Sequence, residues 1–219
     1  MKEQTENKNI AIFASGAGSN AQKIIDHFTS PPAPLHPTTG SGERGAKVVL
    51  IVCNNPQAGV LKIAEKENIS SLIIERKKFY EDGYLGELKK YKIDLIVLAG
   101  FMWKVPAKLI QSYQNKIINI HPALLPKFGG KNMYGSFVHE AVLKAGEKES
   151  GITIHYVDEI YDHGKIIFQA KCRVDEDDTP QTLAEKIHAL EHKHYPIIIE
   201  SVFTLPASKF PGENNLHAT

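Results

Sequence analysis

The sequence predicts an α/β fold: a doubly wound, mostly parallel sheet with an antiparallel C-terminal extension. Three observations carry that expectation. Continuous apolar runs rich in β-branched residues (NIAIFA at 9–14, KVVLIVC at 47–53, IDLIVLA at 93–99) suit strands buried on both faces. Stretches at helical spacing separate them, which implies parallel strands with crossover helices. Near the C-terminus two alternating runs, 151–157 and 165–174, follow one another across the turn DEIYDHG, as an antiparallel pair would.

The elements follow in order. The strand at 9–14 ends in Ser15-Gly16, and 20–28 reads as a helix. After the strand at 47–53 come a helix at 58–68, a strand at 70–75 and one helix at 80–91 that runs through Gly83 and Gly86. A strand at 93–99 precedes a helix at 106–113 with Pro106 in its first turn, where a missing N–H costs nothing. A strand at 116–120 and a helix at 136–145 lead to the antiparallel pair. The last helix spans 180–203, with Thr179 as N-cap and Pro196 expected to kink it. Segment 30–46, with four prolines and three glycines, reads as a surface insertion, and 206–219 as a flexible tail.

Composition narrows the function classes. The chain has 219 residues with 26 Lys and Arg against 25 Asp and Glu, a net charge of +1. That balance gives no electrostatic footprint for nucleic acid or an anionic membrane. The two cysteines, Cys53 and Cys172, stand far apart outside any CxxC, so neither a disulfide framework nor a metal site is expected. The polar N-terminus lacks the apolar segment of a signal peptide, and no run of about 18 apolar residues occurs. The expectation is a cytoplasmic enzyme acting on small molecules, monomeric or homodimeric.

In open α/β sheets ligands sit beyond the carboxyl ends of the strands, so the loops after Ala14, Ala99 and Ile120 draw attention. The first, Ser15-Gly16-Ala17-Gly18-Ser19-Asn20, joins a strand to a helix. Backbone N–H groups and the helix dipole there favour a phosphate, which Gly16 and Gly18 let approach and Ser19 and Asn20 can bond. Position 21 is alanine, so the three-glycine dinucleotide fingerprint is incomplete, and no Gly-Lys-Ser/Thr follows. A phosphate monoester fits; the competing reading is a plain tight turn with a Ser or Asn helix cap.

Asn119 and His121 lie two apart at a strand end and so face the same side, while Pro122 stops the strand. An amide N–H and an imidazolium can both donate to the oxyanion of acyl transfer, and histidine can shuttle the proton. Asp162, in Asp162-His163-Gly164, could raise the pKa of that histidine, although Asp before Gly is also ordinary turn chemistry. The other histidines singled out, His27, His36, His139, His163, His192, His194 and His217, read as surface or helix residues, while His188 and Glu191 can share a helix face and from spacing alone read as structural packing.

Five motifs now stand in register: SGAGSNAQKII, DLIVLAGFM, IINIHPALLPKFGG, GITIHYVDEIYDHGKIIFQAKCRV and HALEHKHYP. Together they resemble the phosphoribosylglycinamide formyltransferase family, folate-dependent enzymes of purine synthesis. The resemblance implies a formyltransferase-like fold in which 1–219 forms one domain. It also implies transfer of a formyl group from 10-formyltetrahydrofolate, a cosubstrate, to the amine of phosphoribosylglycinamide, with no metal. The implied catalytic group is Asn119, His121 and Asp162, and the implied phosphate site is Gly16, Gly18, Ser19 and Asn20. Glu191 and His188, where the family often has Gln, would meet the ribose or glycinamide end. The folate would lie against Met102, Trp103, Lys104 and Val105, with Lys77 where the family has Arg. The 130–136 segment (GKNMYGS) departs from the family pattern. The alternative activity is hydrolysis of the same donor, but that family carries an N-terminal regulatory domain, whereas about eight residues precede the first strand here. Methionyl-tRNA formyltransferase carries a basic tRNA-binding domain, and a flavodoxin-like binding module has no use for the Asn119–His121–Asp162 set.

Overall fold

A computed structural model describes residues 7–30 and 45–204. The chain divides into two compact units, one up to Ile117 and one from Ile118. The 206–219 tail and nearly all of the 30–46 insertion lie outside the described residues, as do His36 and His217.

The first unit holds β1 (Lys8–Ala14), α1 (Ser19–Thr29), β2 (Ala46–Cys53), α2 (Gly59–Lys66), β3 (Ser70–Ile73), α3 (Arg76–Asp82), α4 (Leu85–Lys90), β4 (Leu95–Leu98) and α5 (Ala107–Ser112). Its strands run parallel in the order β3-β2-β1-β4. The central strand explains the unbroken apolar run: Ile12 lies between Ile51 and Val97, and Ile10 to Ala14 are at most 1% exposed. At the edge, β3 is four residues long and mostly exposed, which limits the unpaired backbone it offers. Strand order reverses between β1 and β4, so the loops that leave those two strands form a switch point.

The single helix expected at 80–91 is two. Gly83 (φ 64°) and Tyr84 (φ 54°) both adopt left-handed backbone, which ends α3 before α4 begins. Gly83 serves as the C-cap, while the Tyr84 amide is held by Asp82 Oδ1 at 2.7 Å and its hydroxyl accepts the Glu75 amide at 2.9 Å. Those bonds hold a non-glycine residue in a conformation its side chain disfavours.

The second unit holds all but the first residue of β5 (Ile117–His121), and α6 (Ser136–Lys144), β6 (Glu149–Tyr156), β7 (Ile166–Arg173) and α7 (Pro180–Thr204). As the alternating runs predict, β6 is antiparallel to both β5 and β7. Alternation does not mark a wet face here, because β6 is buried from Ser150 to His155. Thr153, buried within it, is bonded three ways: its Oγ1 donates to the Ala123 carbonyl (2.7 Å) and accepts from the Leu125 amide (3.0 Å) and Gln169 Nε2 (2.7 Å). Across α7, the fully buried Tyr195 hydroxyl donates to the Ile118 carbonyl at 3.4 Å.

Thr179 caps α7 as expected, its Oγ1 accepting the Thr182 amide at 3.2 Å. The helix continues through Pro196, which supplies no N–H to the ladder. Thr179→Ala is expected to lower stability by about 1 kcal/mol, read as a reduced thermal midpoint with activity per folded molecule unchanged.

Candidate active site

At the switch point of the first unit the loop after β1 is built from backbone. Gly18 is the N-cap of α1 with φ 86°, and no side chain caps that end. A Cβ on Gly18 would lie 2.9 Å from atoms of Val60 and Ile63, so glycine is required twice, by conformation and by space. Gly16, by contrast, faces open space and is exposed. The Gly16 carbonyl accepts the Val60 amide at 3.2 Å, while Ser15 reaches the loop after β4: its N–H donates to the Gly100 carbonyl (3.1 Å) and its Oγ accepts the Met102 amide (2.9 Å). Exposed Ser19 opens the helix and half-buried Asn20 follows it. The Ser or Asn cap of the competing reading is absent at this end; Gly18 takes that position.

The loop after β4 carries an aromatic cluster. Phe101 meets Phe13 edge-on at 5.3 Å and Phe79 at 5.7 Å, and Trp103 lies 5.9 Å from Phe79 and 6.3 Å from Phe101. Trp103 is half-buried and Val105 buried, whereas Met102 and Lys104 are exposed. Lys77, on α3, is largely exposed and stands 4.0 Å from Glu81 one helical turn on.

In the second unit Asn119 and His121 project from the same side of β5, and Asp162 comes to them. His121 Nδ1 is 3.5 Å from Asp162 Oδ2, and His121 Nε2 is 2.8 Å from the Phe128 carbonyl oxygen. A carbonyl oxygen only accepts, so Nε2 carries a proton and the neutral ring has its lone pair on Nδ1, toward Asp162. Asp162 Oδ2 also accepts the Gly130 amide at 2.8 Å. Asp162 itself has φ 53°, which a short polar side chain tolerates.

A fourth residue completes the cluster, and sequence reasoning passed it over. His155, 2% exposed, sits directly across from Asn119 in the β5–β6 register. Its Nδ1 donates to its neighbour Tyr156's carbonyl at 2.8 Å, which leaves Nε2 to accept from Asn119 Nδ2 at 3.1 Å. That bond orients the Asn119 amide and leaves one of its two N–H groups to point elsewhere. His155 Nε2 also lies 3.7 Å from Asp162 Oδ1. The sequence signal was incomplete: antiparallel pairing of 151–157 with 116–120 brings some residue of the later strand opposite Asn119, and only the register makes it His155.

The electrostatics correct one expectation. Burial pushes His121 below the ordinary histidine value; the Asp162 charge and the Phe128 carbonyl pull upward without overcoming it, and His155 adds to the lowering. Asp162 raises its neighbour as expected, but the net direction is down. Asp162 itself is raised by burial and lowered by more than that by His155, His121 and the Gly130 N–H, so it is held below the usual carboxylate range.

On α7, Glu191 is buried at 6% exposure while His188 is exposed and stacks at 6.2 Å on His192. His139 belongs to a helix, as read, but not to the surface: it is 4% exposed, and burial together with His188 and His121 lowers its pKa. His194 is half-buried with its ring 5.0 Å from that of Phe168.

The formyl transferase family matches residues 8–199, a single stretch that includes both units. Phosphoribosylglycinamide formyltransferase of Bacillus subtilis is 39% identical over 203 residues, covering 90% of this chain and 96% of that protein. The chloroplastic phosphoribosylglycinamide formyltransferase of Arabidopsis thaliana is also 39% identical, over 89% of this chain but 65% of its own length. Among solved structures, glycinamide ribonucleotide transformylase 1 of Geobacillus kaustophilus superposes with a TM-score of 0.78 at 36% identity, covering 90% of this chain and 99% of that one.

Proposed function

We infer, from a chain that belongs to the formyl transferase family, that it moves a formyl group from a folate-derived donor to the amine of phosphoribosylglycinamide in purine biosynthesis. The observation that carries this reading is the meeting of the Asn119 amide, the His121 imidazole and the Asp162 carboxylate on one side of β5. The donor proposed is 10-formyltetrahydrofolate, which supplies a formyl carbon already bonded to nitrogen.

The protein's own groups perform the rest. Asn119 Nδ2, oriented by His155, donates its second N–H to the formyl oxygen as negative charge builds there. His121 Nδ1 receives the proton that the amine sheds on forming its new C–N bond. The resulting imidazolium has an acceptor for each N–H, Phe128 O and Asp162 Oδ2. His121 then returns the proton to the folate nitrogen as the old C–N bond breaks, and its neutral form is restored. Protonated His121 is thus a product of the first step rather than the resting state.

Gly16, Gly18, Ser19 and Asn20 hold the phosphate monoester at the uncapped, open N-terminus of α1. Glu191 and His188 meet the ribose or glycinamide end. Met102, Trp103, Lys104 and Val105 offer the pterin an edge of the aromatic cluster, and Lys77 offers a charge to the folate tail. The structure supports the exposed Met102 and Lys77 for such contacts better than the buried Val105 side chain.

An assay with the formyl donor, with and without phosphoribosylglycinamide, tests the activity. Folate release that requires the amine is expected; release that ignores it would mean a hydrolase. Because His121 must be neutral to take the proton and its pKa is lowered, the enzyme's own contribution to the acid limb of kcat/KM, once the titration of the substrate amine is divided out, is expected below the ordinary histidine range. An enzyme contribution at or above that range would contradict the proton assignment.

A further inference from the structure

We propose that the Phe128-Gly129-Gly130 turn is a positioning element that chooses the tautomer of His121 and holds Asp162 off it. The proposal rests on the reading that His121 Nδ1 takes the amine's proton. A neutral imidazole has one N–H, and two acceptors flank this one. A carboxylate is the stronger, because a hydrogen bond to an ionised acceptor is roughly twice as strong as one to a neutral carbonyl. Left to itself Asp162 would draw the proton to Nδ1, and the lone pair would then face the turn from Nε2, where it could serve no substrate.

The turn reverses that preference by distance. Its Phe128 carbonyl stands 2.8 Å from Nε2, within good hydrogen-bond range, whereas Asp162 Oδ2 stands 3.5 Å from Nδ1. Two residues on, the Gly130 N–H holds the same Oδ2 at 2.8 Å. One turn therefore offers the winning acceptor and restrains the losing one. Its backbone is specialised for this: Phe128 has φ 54° and Gly130 φ 96°. Between them Gly129 has no room for a side chain, since a Cβ would collide with Leu125 Cδ2 and lie 3.2 Å from Asp162 Cβ.

Heteronuclear NMR of the imidazole nitrogens in the full wild-type chain, above the His121 pKa, is the direct test. The expected result is a proton on Nε2; a proton on Nδ1 overturns the proposal. Gly129→Ala is expected to move population toward Nδ1–H and to lower kcat by about tenfold or more with little change in KM. Should that variant not fold, Phe128→Val, a β-branched residue ill suited to positive φ, perturbs the turn with no Cβ added at 129 and is expected to act the same way. Loss of kcat in Gly129→Ala or Phe128→Val with the proton still on Nε2 would refute the positioning role. A wild-type chain with the expected tautomer but no amine-dependent formyl transfer would instead sink the proposed function and leave the tautomer claim standing.

Discussion

His121→Ala is expected to lower turnover by about 10³-fold while the protein still folds, and Asn119→Ala by about 10²- to 10³-fold. The two losses have different origins. His121 supplies the lone pair on Nδ1, and a general base is worth about 10²- to 10⁴-fold. Asn119 supplies one N–H aimed at a developing oxyanion, worth about 3–4 kcal/mol in a site that excludes water. Neither change should destroy the sheet. His121 closes β5 at its last residue, Asn119 is only half-buried, and neither replaces one of the buried apolar side chains Ile117, Ile118 and Ile120. Because both act in the same tetrahedral step, Asn119 on the oxygen and His121 on the nitrogen, the double variant should lose less than the product of the single losses. Single-turnover rates, with circular dichroism to check folding, decide the matter: a rate within about fivefold of wild type for either variant would remove that residue from the mechanism.

The order of strands and helices was legible because burial writes itself as periodicity. Leu50–Cys53 and Leu95–Leu98 are apolar at every position because they are interior parallel strands. What periodicity could not convey was the conformation of single residues. Tyr84 is a poor choice for positive φ, and only its bonds to Asp82 and Glu75, formed in the folded chain, hold it there. The break between α3 and α4 was therefore hidden behind two glycines that a helix can tolerate. The site divides in the same way. Asn119 and His121 share a side by strand geometry alone, so their pairing followed from spacing. Asp162 needed the loop to fold back, and its role came from resemblance. His155 was invisible because its partner is decided by register between two strands, a non-local fact. The net direction of the His121 shift escapes the sequence for a related reason: the upward pull of a neighbouring carboxylate follows from a motif, but the larger effect of burial at 3% exposure does not.

Asp162→Asn separates charge from shape and is expected to produce the second large effect. Asparagine matches aspartate in size and tolerates the φ of 53° at this position. Its side-chain oxygen can still accept the Gly130 amide, so the loop should keep its form. Only the negative charge 3.5 Å from His121 Nδ1 disappears. Without it the imidazolium formed in the first step loses the one charged partner it has among the described residues. Turnover is expected to fall on the order of 10³-fold, somewhat less than the roughly 10⁴-fold lost when a carboxylate directly bonded to a catalytic imidazole is neutralised, because here the separation is longer and the Phe128 carbonyl already fixes the tautomer. The pH profile carries the sharper test. Asp162 raises the His121 pKa against the burial that lowers it, so deleting the charge lets that pKa drop further, and the acid limb, corrected for the titration of the substrate amine, should move to lower pH even as the plateau falls. Damage to the fold alone would depress the plateau and leave the limb in place. A limb that moved upward would show that the carboxylate does not act on His121 by its charge.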